Sequence, residues 1–338
     1  MSTTHLRNNS IDIARLICAI LVVSIHTRPL EDINPYLGYM AIEVLPRIAV
    51  PFFYCISGYF YIEKIESARE KTRVAFKKTF MKLLKVYLFW SVVFFLCDIN
   101  SYFNTGMNWK GIIASYFLNF FVYGSYYHLW YFIGLFFSII IVTAFYIIRW
   151  EKILAVGTIV LYVLGVLGCA YYKVGTMIPG ISVIINSSHF ELLRRIVLMA
   201  LPFYMSGYFV TRIVKKETEK NTGFKISIFV ALFLIEIFTV NILQLASNVI
   251  LTIFLYPLVI YMIIFLLKHP LENYCKLGMC SRYLANFIYF SHPLYIWGIQ
   301  KFLVTTGTTL YVLTVSLSVM LGYILMKLNC RKINQFIV

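Results

Sequence analysis

The stretch Leu129–Ile148 reads LWYFIGLFFSIIIVTAFYII and contains no charged residue. Its length matches the ~20 residues that an α-helix needs to cross a hydrocarbon core of about 30 Å. Three further stretches are also free of charge and have similar or greater lengths: Ile153–Tyr172, Val249–Leu267 and Phe302–Met326. Together, the four stretches predict a protein whose helices cross a membrane several times.

The composition of the whole chain favours the same class. Of its 338 residues, 61% are apolar and only 13% are charged, whereas soluble domains have roughly 45–50% apolar and about 25% charged residues. A net charge of +16 would suit a nucleic-acid partner, but the basic residues lie in short loops between apolar runs. That placement is typical of membrane proteins. We therefore expect a lipid bilayer and no nucleic acid as the partner.

Hydropathy and loop charge predict an all-α fold with about ten transmembrane helices around a polar cavity. With both termini in the cytoplasm, 23 of the 30 Lys and Arg residues lie inside and seven outside, as the positive-inside rule requires. The uncharged segment 111–127 is expected to be an interfacial or re-entrant helix, because one more span would place basic loops outside. The spans are expected near residues 10–28, 44–62, 80–98, 128–148, 153–172, 194–212, 226–244, 249–267, 283–301 and 308–326.

A faint internal repeat connects two of these spans. Residues 47–60 (RIAVPFFYCISGYF) resemble residues 195–209 (RIVLMALPFYMSGYF). Both copies run from outside to inside in the predicted topology, unlike the inverted repeats of many secondary transporters. Two explanations stay open. The repeat is either a duplicated unit or the recurrence of Pro and Ser-Gly wherever membrane helices kink and pack closely.

Ionisable side chains within membrane helices cost about 2.5–3.5 kcal/mol each on insertion scales, so each marks a candidate site. The first span contains Asp12, Arg15 and His26. Arg15 and His26 are eleven residues apart, which places them on nearly the same helix face and about 16 Å apart along the axis. A phosphate-bearing donor could dock at Arg15 and present its reactive end to a histidine base. Alternatively, Arg15 extends to the interface and His26 is a satisfied polar group.

Five further residues are candidates for binding a substrate. Arg47 lies near the predicted outer surface, where it suits a carboxylate or lipid headgroups. His128 and Trp130 belong to an aromatic belt at the start of the fourth span. Glu236 is isolated among apolar residues near mid-membrane and should face the bundle interior. His292 precedes a proline, whose missing N–H frees a carbonyl group that can help to form a cavity.

Other signals point away from several classes of site. The sequence has no phosphate-cradling P-loop, no dinucleotide glycine motif and no HExxH motif. Its seven cysteines are scattered, and most lie in apolar runs, so we expect neither a metal site nor disulfides. His189, Arg194 and Arg195, at the predicted outer mouth, are interpreted as headgroup contacts.

Together, these residues resemble the acyltransferase-3 family of integral membrane proteins. The resemblance rests on Asp12-x-x-Arg15 followed after ten residues by His26, on Arg47…Pro51-Phe52-Phe53…Ser57-Gly58, and on His128-Leu129-Trp130. It implies that His26 is the catalytic residue and that Arg15 lies near the path of an acyl-CoA such as acetyl-CoA. The acyl group would pass from the cytoplasm to an acceptor on the other side of the membrane.

The sequence is also similar, more specifically, to the membrane half of the serine/alanine racemases of vancomycin-resistance clusters. This similarity rests on residues 50–59, residues 127–132 and His292-Pro293. It implies one transmembrane domain over residues 1–338, in a bacterial plasma membrane, that binds L-serine and supplies it to a C-terminal cytoplasmic racemase domain. The chain ends at Val338, about where that domain would begin. We therefore expect pyridoxal phosphate only in a domain that this chain lacks.

Three functions stay open on this evidence. The first is a serine-supplying membrane moiety of a racemase, with a role in the cell wall and in antibiotic resistance. The second is an acyl-CoA-dependent O-acyltransferase that modifies an extracytoplasmic acceptor. The third is a secondary transporter, in which Glu236 holds the substrate ammonium. The oligomeric state, including a homodimer, is open as well.

Overall fold

The computed structural model describes residues 8–67, 71–104 and 108–328. Every regular element in these ranges is helical, which confirms the all-α prediction. The α-helices are α1 (Asn9–Thr27), α2 (Pro35–Tyr39), α3 (Ala49–Glu66), α4 (Thr72–Asn104), α5 (Trp109–Leu118), α6 (Trp130–Ile147), α7 (Glu151–Leu167), α8 (Tyr172–Thr176), α9 (Pro179–Ile185), α10 (Phe190–Leu193), α11 (Leu201–Met205), α12 (Gly207–Ile213), α13 (Glu219–Ile242), α14 (Leu255–Lys268), α15 (Cys275–Phe302) and α16 (Gly307–Leu328). Wider π-helical turns occupy Met40–Val44, Asn119–Tyr123 and Arg194–Ala200, and tighter 3-10 turns occupy Leu45–Ile48 and Glu272–Tyr274.

Seven helices among the described residues are long and apolar enough to cross a membrane. Each overlaps a span that the sequence predicted. The count rises to eight if α14 and the segment Glu272–Phe302, which meet at a 90° bend, form one span. The seven are Asn9–Thr27, Pro35–Glu66, Thr72–Cys97, Trp130–Ile147, Phe190–Ile213, Glu219–Ile242 and Gly307–Leu328.

The predicted count of ten spans is not confirmed, because the predicted spans 153–172, 249–267 and 283–301 are not among the seven. The first two correspond to short helices, and the third lies in α15, which counts only together with α14. Helix α7 has 17 residues and α14 has 14, whereas a straight crossing takes about 20. Helix α14 stops at His269 because Pro270 follows, and the residue before a proline disfavours the helical conformation. The chain then turns sharply into α15.

The segment 111–127 contains a short helix and is not a candidate span. Helix α5 and the π-helical turn after it cover residues 109–123. They pack against α4, where Tyr116 donates a hydrogen bond to the carbonyl of Ser91 (3.0 Å) and Tyr87 donates one to the carbonyl of Phe120 (2.5 Å). The opposite side exposes an apolar residue every four positions, namely Trp109, Ile113, Phe117 and Phe121. The interfacial or re-entrant position of this helix stays a prediction.

The chain divides into two compact units. Within the described residues, the first unit comprises 8–53, 212–239 and 254–328, and the second comprises 54–67, 71–104, 108–211 and 240–253. Two units of this kind can belong to one domain, so the single domain expected over residues 1–338 stays a prediction.

In the first unit, α1 packs along α15, and α16 packs against both. The start of α1 is tied to the bend that follows α14. Asn8 donates a hydrogen bond to the carbonyl of Leu266 (2.8 Å). Ser10 donates to the carbonyl of His269 (2.5 Å) and accepts from the backbone N–H of Leu271 (3.1 Å). These bonds satisfy backbone groups that a helix end leaves without partners, so the bend is held in place by α1.

The loop that follows α1 is fixed to the start of α16. Asp32 accepts hydrogen bonds from the backbone N–H of Thr308 (3.1 Å) and from its hydroxyl (2.6 Å). That hydroxyl in turn accepts from the backbone N–H of Leu30 (2.7 Å). The hydrogen bonds from Thr308 hold the pKa of the Asp32 carboxyl below its usual value. Helix α1, whose last turn contains His26, is therefore held at both of its ends.

In the second unit, the part of the first repeat copy that begins at Tyr54 packs directly against the second copy. A Cβ atom added at Gly58 would lie 1.8 Å from the carbonyl oxygen of Tyr204, and one at Gly207 would lie 2.3 Å from the backbone nitrogen of Tyr59. Only a residue without a side chain allows two helix backbones to approach so closely. The recurring Ser-Gly pair is thus explained by close packing between the copies.

The orientation of the termini stays a prediction, which single-cysteine labelling tests. In a variant without native cysteines, Lys71→Cys and a cysteine placed after Lys332 should be protected from impermeant thiol reagents in intact cells. The region after Lys332 lies outside the described residues. Tyr36→Cys, at a side chain that is 83% exposed, should react. Labelling of Lys71→Cys together with protection of Tyr36→Cys would reverse the predicted orientation.

Candidate active site

The structure brings two of the predicted site residues into direct contact, His26 and His292 in the first unit. Four other predicted residues of this unit lie elsewhere in it, and two belong to the second unit. The first unit holds Asp12, Arg15, His26, Arg47, Glu236 and His292, and the second holds His128 and Trp130.

The rings of His26 and His292 stack, with their centroids 5.3 Å apart and their planes inclined by 24°. His26 lies in the last turn of α1 and is half-buried. His292 lies within α15 and is fully buried. The sequence singled out both residues but contained no signal that they meet, because their contact depends on how α1 packs along α15.

Pro293 explains the orientation of the His292 ring. Proline has no N–H, so the carbonyl of Tyr289, four residues earlier, loses its usual helical donor. The Nδ1 atom of His292 lies 2.9 Å from that carbonyl oxygen and 3.1 Å from the carbonyl oxygen of Ile288. A carbonyl oxygen only accepts hydrogen bonds, so Nδ1 carries the proton and Nε2 has the lone pair. The His-Pro pair thus selects one tautomer of His292.

An aromatic wall adjoins the histidine pair. The ring of Tyr289 lies 6.4 Å from that of His292 and 5.7 Å from that of Phe53. Sequence reasoning missed Tyr289, although a tyrosine three positions before a histidine shares its helix face. The buried His292 and the half-buried His26 therefore lie beside two aromatic rings.

Arg15 is paired with Asp12 at the other end of α1. Their side chains are 3.4 Å apart, with Arg15 20% and Asp12 6% exposed. Asp12 belongs to the first turn, where a carboxylate interacts favourably with the helix dipole. Helix α1 is unbroken from Arg15 to His26. The two residues therefore share a helix face as the eleven-residue spacing predicted, about 16 Å apart along the axis.

Arg47 is satisfied by its own helical segment. Its guanidinium forms an ion pair with Glu43 and also donates a hydrogen bond to the backbone carbonyl of Glu43 (3.2 Å). The side chain of Arg47 is only 14% exposed. Its partner Glu43 was not singled out from the sequence, although an oppositely charged residue four positions away is a recognisable helix pair.

Glu236 is buried, with 4% of its surface exposed, and its carboxylate accepts a hydrogen bond from the backbone N–H of Phe254 (2.9 Å). Phe254 immediately precedes α14. Helix N-termini carry unsatisfied N–H groups and favour negative charge. The contact gives Glu236 a structural role in starting α14. Whether Glu236 also lines a cavity, as the sequence suggested, is tested by mutation.

Glu236→Gln is expected to preserve both folding and any serine-dependent function, because the amide oxygen still accepts the Phe254 hydrogen bond. Glu236→Leu should instead lower the thermal unfolding midpoint, because a buried N–H loses its acceptor at a cost of about 1–3 kcal/mol. Thermal unfolding and L-serine binding of the purified variants check this pair. Loss of serine binding in Glu236→Gln, at unchanged stability, would instead identify Glu236 as a ligand-binding residue.

In the second unit, His128 is buried within an aromatic cluster. Its ring packs edge-on against Phe94 at 4.9 Å and lies 5.8 Å from Tyr126 and 5.6 Å from Tyr127. The aromatic belt predicted from the sequence therefore surrounds this histidine.

Trp130 lines a pocket whose polar side chains come from two segments of the chain. The guanidinium of Arg195 lies 5.4 Å above the Trp130 ring. The cavity has a volume of about 70 Å³, and we call it the Trp130 pocket. Its polar and aromatic lining consists of Tyr123, Trp130, Ser188, His189, Glu191 and Arg195.

Glu191 connects two arginines at this pocket and was missed by sequence reasoning. It accepts hydrogen bonds from Arg194 at 2.5 and 2.6 Å and from Arg195 at 2.8 Å. A glutamate followed by arginines three and four positions later is a recognisable ion-pair pattern. Both arginines are therefore bound to Glu191, and their contact with lipid headgroups stays a prediction.

In comparisons with known proteins, the chain matches one family model and is similar to three curated proteins. Residues 8–327 match a family model described as an acyltransferase domain. Two proteins named amino-acid racemase, both from Enterococcus faecalis, are 30% identical over 218 residues and 27% identical over 232 residues. These matches cover 63% and 67% of this chain, and 30% and 31% of the relatives.

A serine/alanine racemase from Enterococcus gallinarum is 29% identical over 242 residues, which cover 68% of this chain and 32% of that protein. The matched stretch therefore makes up about a third of each relative. No solved structure matches this chain significantly.

Proposed function

Because the chain belongs to the acyltransferase-3 family of membrane proteins, we propose that it is the membrane moiety of an amino-acid racemase system. In this role it binds L-serine and supplies it to a cytoplasmic racemase domain that uses pyridoxal phosphate. The observation that carries the proposal is its similarity, at 27–30% identity, to three proteins named racemases. A bacterial plasma membrane and a contribution to cell-wall synthesis and antibiotic resistance belong to the same proposal.

The described residues support the binding step. L-serine is a zwitterion with a hydroxyl group, so it needs polar partners within an apolar protein. His26 is half-buried, so its imidazole can offer a hydrogen bond to a polar group of the ligand, and the stacked His292 ring holds it in position. Pyridoxal phosphate would acidify the Cα–H bond of serine in the racemase domain. No residue of the described chain is assigned a part in that step.

The test is binding and uptake of radiolabelled L-serine by the purified protein in proteoliposomes. We expect saturable uptake that falls at least tenfold in His26→Ala. Ile17→Ala is the matched control, because it lies on the same helix at a side chain that is 55% exposed, and its uptake should equal that of the wild type. Absence of L-serine binding and uptake in the wild type would refute the serine-supplying function.

Acyl transfer is the second candidate function, and α1 favours it, because one unbroken helix presents both Arg15 and His26. Acyl-CoA would be the donor substrate. His26 would remove the proton from the hydroxyl group of the acceptor while the oxygen of that hydroxyl bonds to the acyl carbon. The carbon–sulfur bond of the acyl-CoA then breaks, and the proton passes from His26 to the coenzyme A thiolate. Secondary transport has less support, because Glu236 has the structural contact with Phe254.

A further inference from the structure

The Trp130 pocket carries charges that suit a small zwitterion. Arg194 is buried, with 6% of its side chain exposed, and it binds both carboxylate oxygens of Glu191. Arg195 adds a second guanidinium to the same carboxylate. Two arginines and one glutamate leave one net positive charge at the pocket. That positive charge attracts the carboxylate of a ligand, and the Glu191 carboxylate attracts a cationic group beside it.

Arg195 is oriented to receive that carboxylate. Its Nε atom is bound to Glu191, and the face of its guanidinium lies on Trp130. Within the described part of the chain, its terminal nitrogens have no acceptor, and its side chain is 34% exposed. A guanidinium held by stacking and by one ion pair presents its remaining N–H groups as a fork that matches a carboxylate.

Glu191 provides the opposite charge at a short distance from Arg195. Its side chain is 53% exposed, so the ammonium group of an amino acid held by Arg195 would lie beside a carboxylate, which attracts it. The same carboxylate would repel a phosphate group placed on Arg195. An anionic group at Arg195 is therefore favoured when its ligand also carries a small cationic group that can approach Glu191, as an amino acid does. The cavity volume of about 70 Å³ restricts the ligand to a small molecule.

The backbone that builds the pocket is itself unusual. Arg194 and Arg195 begin a π-helical turn, Arg194–Ala200, and both contact Glu191 although they are consecutive in sequence. Pro202 follows shortly after this turn and has no N–H to donate within the helix. Turns of this type are rare and occur frequently at functional sites.

We propose that the Trp130 pocket binds L-serine, with Arg195 on its carboxylate and Glu191 on its ammonium group. The inference rests on the serine-supplying function proposed above and adds the site that receives the amino acid. Neither the histidine pair nor the acyl-CoA path contributes a residue to this pocket.

The experiment measures L-serine binding to the purified protein in phosphatidylcholine nanodiscs, which contain no anionic lipid. Arg195→Gln should weaken binding at least tenfold. Arg195→Lys keeps the positive charge but lacks the paired N–H groups of the guanidinium, so it should weaken binding less. Lys173→Gln is the matched control, because it removes an exposed charge of the same unit outside the pocket. L-serinamide, which lacks the carboxylate, should compete poorly with L-serine.

A second readout keeps the proposal testable if Arg195→Gln fails to fold. Of the five tryptophans in the chain, Trp130 lines this pocket. L-serine should change the intrinsic fluorescence of the wild type, and Trp130→Phe should abolish the change.

The outcomes separate this inference from the proposed function. Serine binding that is unaffected by Arg195→Gln, or a fluorescence change that survives in Trp130→Phe, would overturn the pocket assignment and leave the serine-supplying function standing. A wild-type protein that binds no L-serine would overturn both. Binding of glycerol 3-phosphate in place of L-serine would identify the pocket as a lipid headgroup contact and refute the inference.

Discussion

Gly58→Ala is expected to unfold the protein or to lower its free energy of unfolding by more than about 3 kcal/mol. The new Cβ would lie 1.8 Å from the carbonyl oxygen of Tyr204. That atom belongs to a helix backbone, so relief requires two packed helices to separate. Overpacking of a well-packed interior typically costs about 1–3 kcal/mol and more where the backbone must move. Gly207→Ala should have a similar effect, because its Cβ would lie 2.3 Å from the backbone nitrogen of Tyr59.

The matched control is Gly157→Ala in the middle of α7. A Cβ there meets no atom within 4 Å, and alanine is a better helix former than glycine by about 0.8–1.0 kcal/mol. Gly157→Ala should therefore be neutral or slightly stabilising. Thermal unfolding of the three variants in detergent, followed by size-exclusion chromatography, provides the comparison. A Gly58→Ala protein with the unfolding midpoint of the wild type would show that the helices do not cross at these glycines.

Arg15→Ala and His26→Ala are expected to separate donor binding from acyl transfer, if acetyl-CoA is the donor. Loss of the Arg15 guanidinium should weaken acetyl-CoA binding about 10- to 100-fold, because a hydrogen bond to a charged group contributes about 1.5–3 kcal/mol. His26→Ala should leave that binding intact and lower acetyl transfer about 10²- to 10⁴-fold, the usual contribution of a general base.

A binding titration with acetyl-CoA, followed by an acetyl-transfer assay with a hydroxyl-bearing acceptor, measures both effects. Ile17→Ala should match the wild type in both assays. Weakened donor binding in His26→Ala but not in Arg15→Ala would reverse the two assigned roles. A wild-type protein that binds no acetyl-CoA would show that acyl transfer is not its chemistry, and the serine-supplying function would then stand alone.

The two candidate functions make different demands on the histidine pair. Serine supply needs His26 and His292 only as hydrogen-bonding partners, so neither has to change its protonation state. Acyl transfer needs His26 to accept and release a proton in each cycle. Comparing the serine assay with the acetyl-transfer assay on the same His26→Ala protein therefore distinguishes a binding role from a catalytic one.

The sequence by itself determined the class of the protein, the position of seven helices that are long and apolar enough to cross a membrane, and the shared face of Arg15 and His26. Each of these follows from local patterns. Long apolar runs indicate membrane helices because lipid cannot satisfy polar groups, and eleven residues return to one helix face because the helical repeat is 3.6 residues. The orientation of the His292 ring also has a local cause in the proline that follows it.

Only the tertiary structure decided which distant groups meet. The stacking of His26 on His292, the contact of Glu236 with the start of α14, and the crossing of Gly58 and Gly207 all join residues that are far apart in the chain. Side chains on one helix carry no signal of the partner that their face will contact, because many packings of similar apolar helices bury the same surface. The contacts that select one packing are close backbone approaches and buried hydrogen bonds, and these exist only once the chain has folded.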